Sequence, residues 1–528
     1  MTGRRFIGEK LWNGATVFHG IVYARYARFG MPEMVEYGEG EIVDAREYGC
    51  VCPQNLSHLL EQLGPDSGLK MSEGELCLSV TVPAEVTADV VSGGEVKEIC
   101  GSGGESGASG EESLGEEHRR LPVMVWIHGG FYLTGGSEDH RYDVSSLALA
   151  GDVIVVKISY RLGAEGYIWH PEKGVGNLGL EDQKTALRWI RRHIASFGGD
   201  PDNVTVFGQS AGAHSIASLI ASADDVEPVT NVPRFGGEPL FHRAILQSPP
   251  LGNTISPKAA AKVTAAFLDR LASIAGLESG PGETDRERRE KCFDKAVERD
   301  EVTLEHIIEA QDEVKSMRLG LIFLPVLRDN MRIPPVGEQS VCSDCNCGQA
   351  SGDATTGADE RPDRDATACA DERPGRDAQT SVPGQPNRDA TDGKDRFRVI
   401  VGYNADDASP YIRKWTGFLW KTPLRRPLIK LLTDKVFRKP ALRYAAKLRS
   451  AGIEAQTYCF SWHPQGSELG ACHSIELPFL LGKLEDWGSA EMLRGMPREE
   501  YEANSAKFRS LWTKFARSGE FPATGSIK

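Results

Sequence analysis

Apolar, β-rich runs alternate with helical patterns along this chain, and this alternation limits its fold more than any other feature. Pro122–Gly130, "PVMVWIHGG", is an apolar run that ends in glycines, whereas Leu180–Phe197 places apolar residues at close to helical spacing. Further strand-like runs lie at Asp152–Tyr160, Asn203–Gly208, Arg243–Ser248 and Arg398–Asn404. Continuous apolar strands separated by helices are typical of a mostly parallel sheet buried on both faces. We therefore predict an α/β fold with helices flanking a central sheet.

Two segments interrupt this alternation and lack positions that could build a core. Residues 85–120 contain "GSGGESGASGEESLGEE" and show no hydrophobic period. Residues 342–395 carry a 12-residue repeat, "PDRDA" at Pro362, "PGRDA" at Pro374 and "PNRDA" at Pro386, without apolar residues that could stack. We predict that both segments are flexible insertions in a single domain spanning residues 1–528.

The charge of the chain bears on its partners. The formal net charge is −14, which argues against a nucleic-acid partner. Nine acidic residues and one lysine between Glu85 and Glu117 give −8, so much of this charge falls in the first insertion. No run of about 18 apolar residues predicts a membrane span. The start, "MTGRRFIGEKLWNG", lacks the apolar core of a signal peptide, so we expect a cytoplasmic location.

A short cysteine cluster is the one candidate for a metal site. Cys342, Cys345 and Cys347 stand in "CSDCNC", within the second insertion, and no histidine is near them in the sequence. Thiols in a low-complexity stretch fit a reduced, unstructured segment better than a zinc site. We therefore predict no metal.

The stretch "FGQSAGAH" holds the strongest signal for chemistry. Gly208-x-Ser210-x-Gly212 follows the predicted strand of Asn203–Gly208 and opens a helix near Ala211. This strand–turn–helix arrangement is what a nucleophile elbow requires, because the sharp turn leaves no room for side chains at the two glycine positions. Ser210 would also lie at a helix N-terminus, where the dipole favours a developing oxyanion. We predict that Ser210 is a nucleophile.

A serine nucleophile also needs an oxyanion hole and a base. The glycine-rich stretch "IHGGFYLTGG" offers backbone N–H donors at Gly129, Gly130 and Phe131, and Ala211 offers one directly after the nucleophile. His214 lies four residues after Ser210, and we expect it to pack beneath the site rather than to act as the base.

Taken together, these segments resemble the type-B carboxylesterase family, which includes the cholinesterases. The most specific match is "GNLGLEDQKTALRWIRRHIASFGGDPDNVTVFGQSAGA", Gly176–Ala213. Other matching segments follow in family order at Phe18–Phe29, Asp44–Gln54, Ser72–Pro83, Ile158–Ile168, Phe241–Pro250, Phe323–Asn330, Val401–Ser409, Gly470–Gly482 and Leu511–Pro522. The resemblance implies an α/β-hydrolase fold, hydrolysis of small-molecule esters and no cofactor.

The resemblance also implies the other two residues of a catalytic triad. Asp407, in "GYNADDA", stands where the family usually has a glutamate, and Asp406 beside it is the rival. His473, in "ACHSIELPF", matches the family's histidine. The order Ser210, Asp407, His473 is the order of α/β-hydrolases.

Three departures from the family pattern matter. Phe131 stands where relatives have a small residue, so we expect a large side chain to enter the site. Cys52 and Cys77 match a pair that forms a disulfide in secreted relatives, and a reducing cytoplasm would keep them as thiols. Arg28 and Glu75 match positions that form a salt bridge in relatives.

These observations predict a serine esterase that works through an acyl-enzyme. Gln209 replaces the glutamate of cholinesterase-like relatives, and the loop Pro53–Leu76 has no aromatic residue, so we expect neutral, apolar esters rather than choline esters. The aromatics Trp415, Phe418 and Trp420 belong either to a substrate wall or to the core. An inactive adhesion or scaffold protein is the alternative, although such relatives lose triad residues. Amidase or lactonase activity and the oligomeric state stay open.

Overall fold

The computed structural model describes most of the chain. The described residues are 5–38, 40–55, 70–84, 95–97, 120–227, 230–253, 255–318, 323–326, 396–415, 417–488, 490–522 and 525–527. The second predicted insertion and the three cysteines in it lie outside them. Of the first, only Glu95–Lys97, which form a strand, and Arg120 are described.

Strands of three sheets make up the β-structure. They are β1 Arg5–Ile7, β2 Glu9–Lys10, β3 Thr16–Arg25, β4 Glu33–Met34, β5 Ile42–Asp44, β6 Glu75–Val82, β7 Glu95–Lys97, β8 Leu121–Ile127, β9 Ile154–Ile158, β10 Gly199–Gln209, β11 Asp225–Val226, β12 Pro233–Phe235, β13 Glu238–Pro239, β14 Arg243–Gln247, β15 Arg398–Asn404, β16 Glu454–Phe460 and β17 Gly525–Ile527. All five strand-like runs identified in the sequence are strands, β8, β9, β10, β14 and β15.

The central sheet is mixed and mostly parallel. Its order is β17-β16-β15-β14-β10-β8-β9-β6-β3-β2, with β4 paired to β3. The strands from β17 to β9 pair in parallel, whereas β6, β3, β2 and β4 pair antiparallel. Two small sheets, β5-β1-β7 and β11-β12-β13, stand apart from it. The prediction of a mostly parallel central sheet is confirmed.

Helices follow many of the parallel strands. They are α1 Ser145–Gly151, α2 Gly163–Tyr167, α3 Leu178–His193, α4 Ala211–Ala221, α5 Pro257–Ile274, α6 Asp285–Glu298, α7 Leu304–Arg318, α8 Ser409–Trp415, α9 Gly417–Trp420, α10 Arg425–Thr433, α11 Lys439–Ser450, α12 Leu477–Leu480 and α13 Arg498–Ser518. A π-helical turn, Asp434–Arg438, joins α10 to α11. No helix of the described residues is long and apolar enough to cross a membrane.

Two hydrophobic clusters cover the two faces of the sheet. Along β8, Val123 and Val125 belong to one cluster, while Met124 and Trp126 belong to the other, because successive residues of a strand point to opposite faces. Helices α3, α4 and α5 contribute to the first cluster, and α1 and α13 contribute to the second. Burial on both faces fixes the positions of the strand ends that carry the site.

The expected Arg28–Glu75 salt bridge is wrong. Arg28 pairs instead with Glu73, at 2.5 Å from Nε to Oε1 and 2.9 Å from Nη2 to Oε2, and Glu75 pairs with Arg25 at 3.2 Å. The antiparallel register of β3 and β6 sets Arg25 opposite Glu75. A residue beyond Arg25 on the first strand therefore faces a residue before Glu75 on the second.

The matched cysteines, Cys52 and Cys77, are free and buried. The backbone of Cys50 is hydrogen-bonded to the Cys77 thiol. Burial raises the pKa of Cys77 to about 12, so this thiol stays protonated and unreactive near neutral pH.

Candidate active site

Ser210 occupies the sharp turn between β10 and α4. Its φ of 57° and ψ of −121° lie outside the regions that ordinary residues prefer. The turn is held from both sides: the Ser210 N–H donates to the Gln247 carbonyl at 2.9 Å, and the Ser210 carbonyl accepts from the His214 N–H at 2.9 Å. The strand–turn–helix predicted around Ser210 is therefore present.

The glycines on either side of Ser210 are sterically required. A Cβ on Gly212 would lie 2.0 Å from the Ile127 carbonyl oxygen, and one on Gly208 would lie 2.7 Å from the same atom. These contacts are with backbone of the neighbouring strand, which cannot move aside without breaking the sheet. The spacing of the motif thus follows from the closeness of β10, α4 and β8.

The glycine-rich loop after β8 lies against the same turn. A Cβ on Gly129 would come within 3.2 Å of the Ser210 Cβ, so the loop backbone is adjacent to the nucleophile. Gly130 and Phe131 have φ of 120° and 60°, which turns this backbone sharply. The N–H groups of Gly129, Gly130, Phe131 and Ala211 donate to no acceptor within the described part of the chain. Gly129 and Ala211 lie next to Ser210, and Gly130 and Phe131 follow Gly129 in the same loop.

Asp407 and His473 are in direct contact. The Asp407 carboxylate is fully buried, and its Oδ1 lies 2.8 Å from His473 Nδ1. Its Oδ2 accepts from the Asn404 N–H at 2.7 Å and from the Ser248 hydroxyl at 2.9 Å. An ionised carboxylate beside Nδ1 fixes the imidazole with its proton on that nitrogen and leaves Nε2 as an acceptor.

The rival carboxylate, Asp406, is directed elsewhere. Its Oδ2 accepts from the Ala471 N–H at 3.1 Å, and its own N–H donates to the Ala471 carbonyl at 2.9 Å. Asp406 thereby ties β15 to the loop that carries His473, and it does not contact the imidazole.

His473 Nε2 is occupied by Gln209, a contact that the sequence did not reveal. The Gln209 Nε2 lies 3.0 Å from His473 Nε2, so the amide donates to the imidazole nitrogen. Among the described residues the Ser210 hydroxyl has no hydrogen-bond partner. The described residues therefore show no hydrogen bond between the Ser210 hydroxyl and His473.

Aromatic side chains form a wall against the histidine ring. Tyr411 and Phe437 lie 5.5 Å and 5.0 Å from the His473 ring centroid, and Phe131 meets Tyr411 edge to face at 5.8 Å. Phe131 is partly buried. Of the aromatics singled out in Lys414–Leu432, Trp420 is buried, Phe418 is exposed, and the Trp415 side chain lies outside the described residues.

Glu476 is a second buried carboxyl group that sequence reasoning missed. Burial and the nearby Asp407 raise its pKa to about 7, although donation from the Asn404 side chain, 2.6 Å away, lowers it. Asn404 therefore bridges the two carboxyls, since its backbone N–H binds Asp407. The signal in the sequence was an acidic residue inside the apolar stretch "HSIELPF".

His214 lies beneath the site, as expected. Its Nδ1 is 2.7 Å from the Tyr132 hydroxyl, and burial lowers its pKa to about 4. A neutral histidine held by Tyr132 supports the floor of the site and has no contact with the Ser210 side chain.

The site lies at one edge of the sheet. Ser210 follows β10, Ser248 follows β14, and Asp407 follows β15 by three residues. The carboxyl ends of parallel strands meet at this edge, where α/β proteins commonly bind ligands. Within the described ranges, no group of three or more His, Cys, Asp or Glu residues could hold a metal ion.

Comparison with known proteins gives one consistent result. The model of the carboxylesterase family matches residues 4–343. The chain is 32% identical to the para-nitrobenzyl esterase of Bacillus subtilis (strain 168) over 534 residues, covering 98% of this chain and 88% of that protein. It is 29% identical to the probable N-octanoylanthranilate hydrolase of Rhodococcus erythropolis over 522 residues, covering 96% and 91%.

A solved structure agrees with these relatives. A thermophilic PNB esterase superposes with a TM-score of 0.64 at 26% identity, covering 99% of this chain and 92% of the other. The predicted resemblance and the predicted α/β-hydrolase fold are both confirmed.

Proposed function

The chain belongs to the carboxylesterase family and is a serine carboxylesterase, and from this premise we propose that Ser210, His473 and Asp407 form its catalytic triad. The observation that carries the proposal is the 2.8 Å contact between Asp407 Oδ1 and His473 Nδ1, at the sheet edge that also presents Ser210. Each residue then has the role that its surroundings favour.

The proton moves between Ser210 and His473. His473 Nε2 accepts the proton of the Ser210 hydroxyl as the oxygen attacks the ester carbonyl, and Asp407 stabilises the imidazolium that forms. Because Gln209 donates to Nε2 in this structure, its amide must turn away before Ser210 can donate. Catalytic hydrogen bonds often form only once substrate is bound.

The negative charge of the tetrahedral intermediate needs donors. The N–H groups of Gly129, Gly130, Phe131 and Ala211 are the candidates. Gly129 and Ala211 lie next to Ser210, Gly130 and Phe131 follow in the same loop, and none of the four has an acceptor among the described residues. Collapse of the intermediate expels the alcohol, which takes the proton from His473. Water then attacks the acyl-Ser210 ester with His473 as base, releasing the acid.

Replacing the nucleophile tests this assignment. Ser210→Ala should abolish covalent labelling by an organophosphonate and lower kcat by several orders of magnitude. The control is Ser222→Ala, at the other end of α4, which should keep both. Labelling that persists in Ser210→Ala at another serine would reject the triad.

The surroundings of His473 favour neutral, apolar esters. Gln209 is uncharged, and Tyr411, Phe437 and Phe131 give the site an aromatic wall. The loop Pro53–Leu76, of which residues 56–69 lie outside the described structure, contains no aromatic residue to hold a quaternary ammonium.

Choline esters should therefore be poor substrates. We expect kcat/KM for butyrylcholine to be about tenfold or more below that for an uncharged butyrate ester of similar leaving-group pKa. Gln209→Glu should bring kcat/KM for butyrylcholine closer to that for the uncharged butyrate ester, because it adds a negative charge beside the site. Equal efficiency on both esters in the unmodified enzyme would contradict the preference.

A further inference from the structure

Residues 413–449, here called the basic segment, differ in charge from the rest of the protein. They contain twelve Lys and Arg residues and one acid, Asp434, a net charge of +11. The remainder of the chain therefore carries −25, since the total is −14. A local excess of this size on an acidic protein marks a surface suited to an anionic partner.

Apolar side chains are exposed on the same surface. Phe418 is 76% exposed, Leu424 is 62% exposed and Leu431 is 63% exposed. Around the axis of α10, Leu424, Pro427 and Leu431 project within about 60° of one another. Ile429 and Thr433, on the opposite side of this helix, are buried against the protein. The outward face of α10 is thus apolar without a partner among the described residues.

Exposed cations occur in the same segment. Lys430 borders the apolar face, about 60° around the axis from Pro427, and Lys421 precedes the helix, whereas Arg426 projects nearer to the buried side. Lys421, Arg426 and Lys430 are exposed, and in the part of the chain that the structure describes they form no ion pair. Arg425 has a partner, because its guanidinium carbon lies over the Trp420 ring at 5.3 Å from the ring centroid. Unpaired cations that flank exposed leucines and a phenylalanine are the pattern of helices that lie in a lipid interface.

We propose that the basic segment docks on the surface of an anionic lipid bilayer, with Phe418, Leu424 and Leu431 entering the headgroup region. Charge complementarity selects this occupant: the lipid surface attracts Lys421, Arg426 and Lys430 and also accepts apolar side chains. A nucleic acid would satisfy only the cations. A second copy of this chain would bring its acidic surface to the cations, and the dimer outcome below tests that occupant.

The docking surface is joined directly to the candidate active site. The Thr433 hydroxyl, in the last turn of α10, accepts from the Ala408 N–H at 3.0 Å, next to Asp407. Phe437 and Tyr411, from the elements on either side of α10, pack against His473. A protein docked in this way brings its site to esters dissolved in the lipid, although the docking itself does not depend on the triad.

Sedimentation with vesicles tests the proposal on the full chain. The protein should bind phosphatidylcholine vesicles that contain phosphatidylglycerol, bind pure phosphatidylcholine weakly, and lose binding at high salt. The triple variant Lys421→Glu/Arg426→Glu/Lys430→Glu should lower the partition coefficient by about a hundredfold or more. Leu424→Ser/Leu431→Ser should also weaken binding.

A charge-matched control distinguishes docking by the basic segment from a general effect of net charge on vesicle binding. Lys258→Glu/Lys262→Glu/Lys291→Glu changes the net charge equally on α5 and α6, where these lysines are exposed, and should leave vesicle binding intact. Hydrolysis of a soluble short-chain ester by every variant reports folding. The proposal is overturned if the unmodified protein does not bind anionic vesicles, or if Leu424→Ser/Leu431→Ser binds them normally. It is also overturned if the lysine control on α5 and α6 weakens binding as much as the triple variant of the basic segment does. A stable dimer that Leu424→Ser/Leu431→Ser dissolves would equally overturn it.

Discussion

Asp407 receives hydrogen bonds from three separate parts of the chain. His473 binds one oxygen, and Asn404 and Ser248 bind the other. These contacts compensate for a side chain one methylene shorter than glutamate, because they fix the carboxylate where the imidazole reaches it. The carboxylate of Asp406, one residue away, accepts instead from the backbone N–H of Ala471.

This difference predicts unequal effects of two conservative substitutions. Asp407→Asn should lower kcat by about three to four orders of magnitude, because the amide no longer stabilises the imidazolium and favours the wrong tautomer. Asp406→Asn should cost much less, since an amide oxygen can still accept from Ala471. The measurement is kcat on a p-nitrophenyl ester for both variants, and the reverse ranking would transfer the acid role to Asp406.

At this scale the sequence indicated candidate residues, whose roles stay predictions, but not all of their contacts. Ser210 and the glycine-rich donors followed from local patterns, and Asp407 and His473 followed from the family resemblance. The contact between Gln209 and His473 could not be predicted, because it joins residues 264 positions apart. Glu476 was missed for a similar reason, since its raised pKa comes from burial and from Asp407, both products of the fold.

The register of β3 and β6 decides which arginine pairs with which glutamate, and the two resulting ion pairs differ in burial. Arg28 is buried and Glu73 is partly buried, with 3% and 11% of their side chains exposed. Arg28 also donates to the Ala296 and Val302 carbonyls, at 3.1 Å and 2.8 Å, and so links the strand end to α6. The Arg25–Glu75 pair from the same strands is exposed.

The two arginines form a matched test of this difference. Arg28→Met should lower the free energy of unfolding by about 2 kcal/mol, because Glu73 keeps only the more distant Arg299, at 3.6 Å, and two buried carbonyls lose a donor. Arg25→Met should cost about 1 kcal/mol or less, since water replaces the lost partner. Denaturant unfolding of both variants checks the prediction, and equal losses would contradict it.

The sequence predicted which elements exist more reliably than how they pair. Apolar runs identified β8, β9, β10, β14 and β15, because strands buried on both faces are continuously apolar. The antiparallel partners β2 and β4 are two residues long and left no recognisable pattern. The Arg28 pairing was mispredicted because register depends on where two distant segments align.

On the scale of the whole molecule, the described residues before and after the repeat-bearing segment are hydrogen-bonded to other parts of the chain. The Asn177 side chain accepts from the Val326 N–H at 2.7 Å and donates to the Val326 carbonyl at 3.0 Å. On the other side, the Phe397 N–H donates to the Thr230 carbonyl at 2.7 Å. The flanks therefore have anchors of their own that do not involve the repeats.

Residues 342–394 should accordingly be dispensable for folding. Replacing them with a short Gly/Ser linker should leave the melting temperature and esterase activity nearly unchanged, because the repeats have no core-forming positions. Asn177→Ala is the control, and it should lower the melting temperature because it detaches Val326. Insolubility or loss of a cooperative melt in the linker variant would mean that the segment is structural.

Strand polarity gives this arrangement an evolutionary consequence. The two predicted insertions directly precede β8 and β15, so the chain enters each strand at its amino end, whereas Ser210 and Asp407 follow the carboxyl ends. A lineage can therefore lengthen or shorten the chain before either strand while the proposed catalytic groups keep their spacing. The same two entry points are where an engineer would splice in a reporter or an affinity tag.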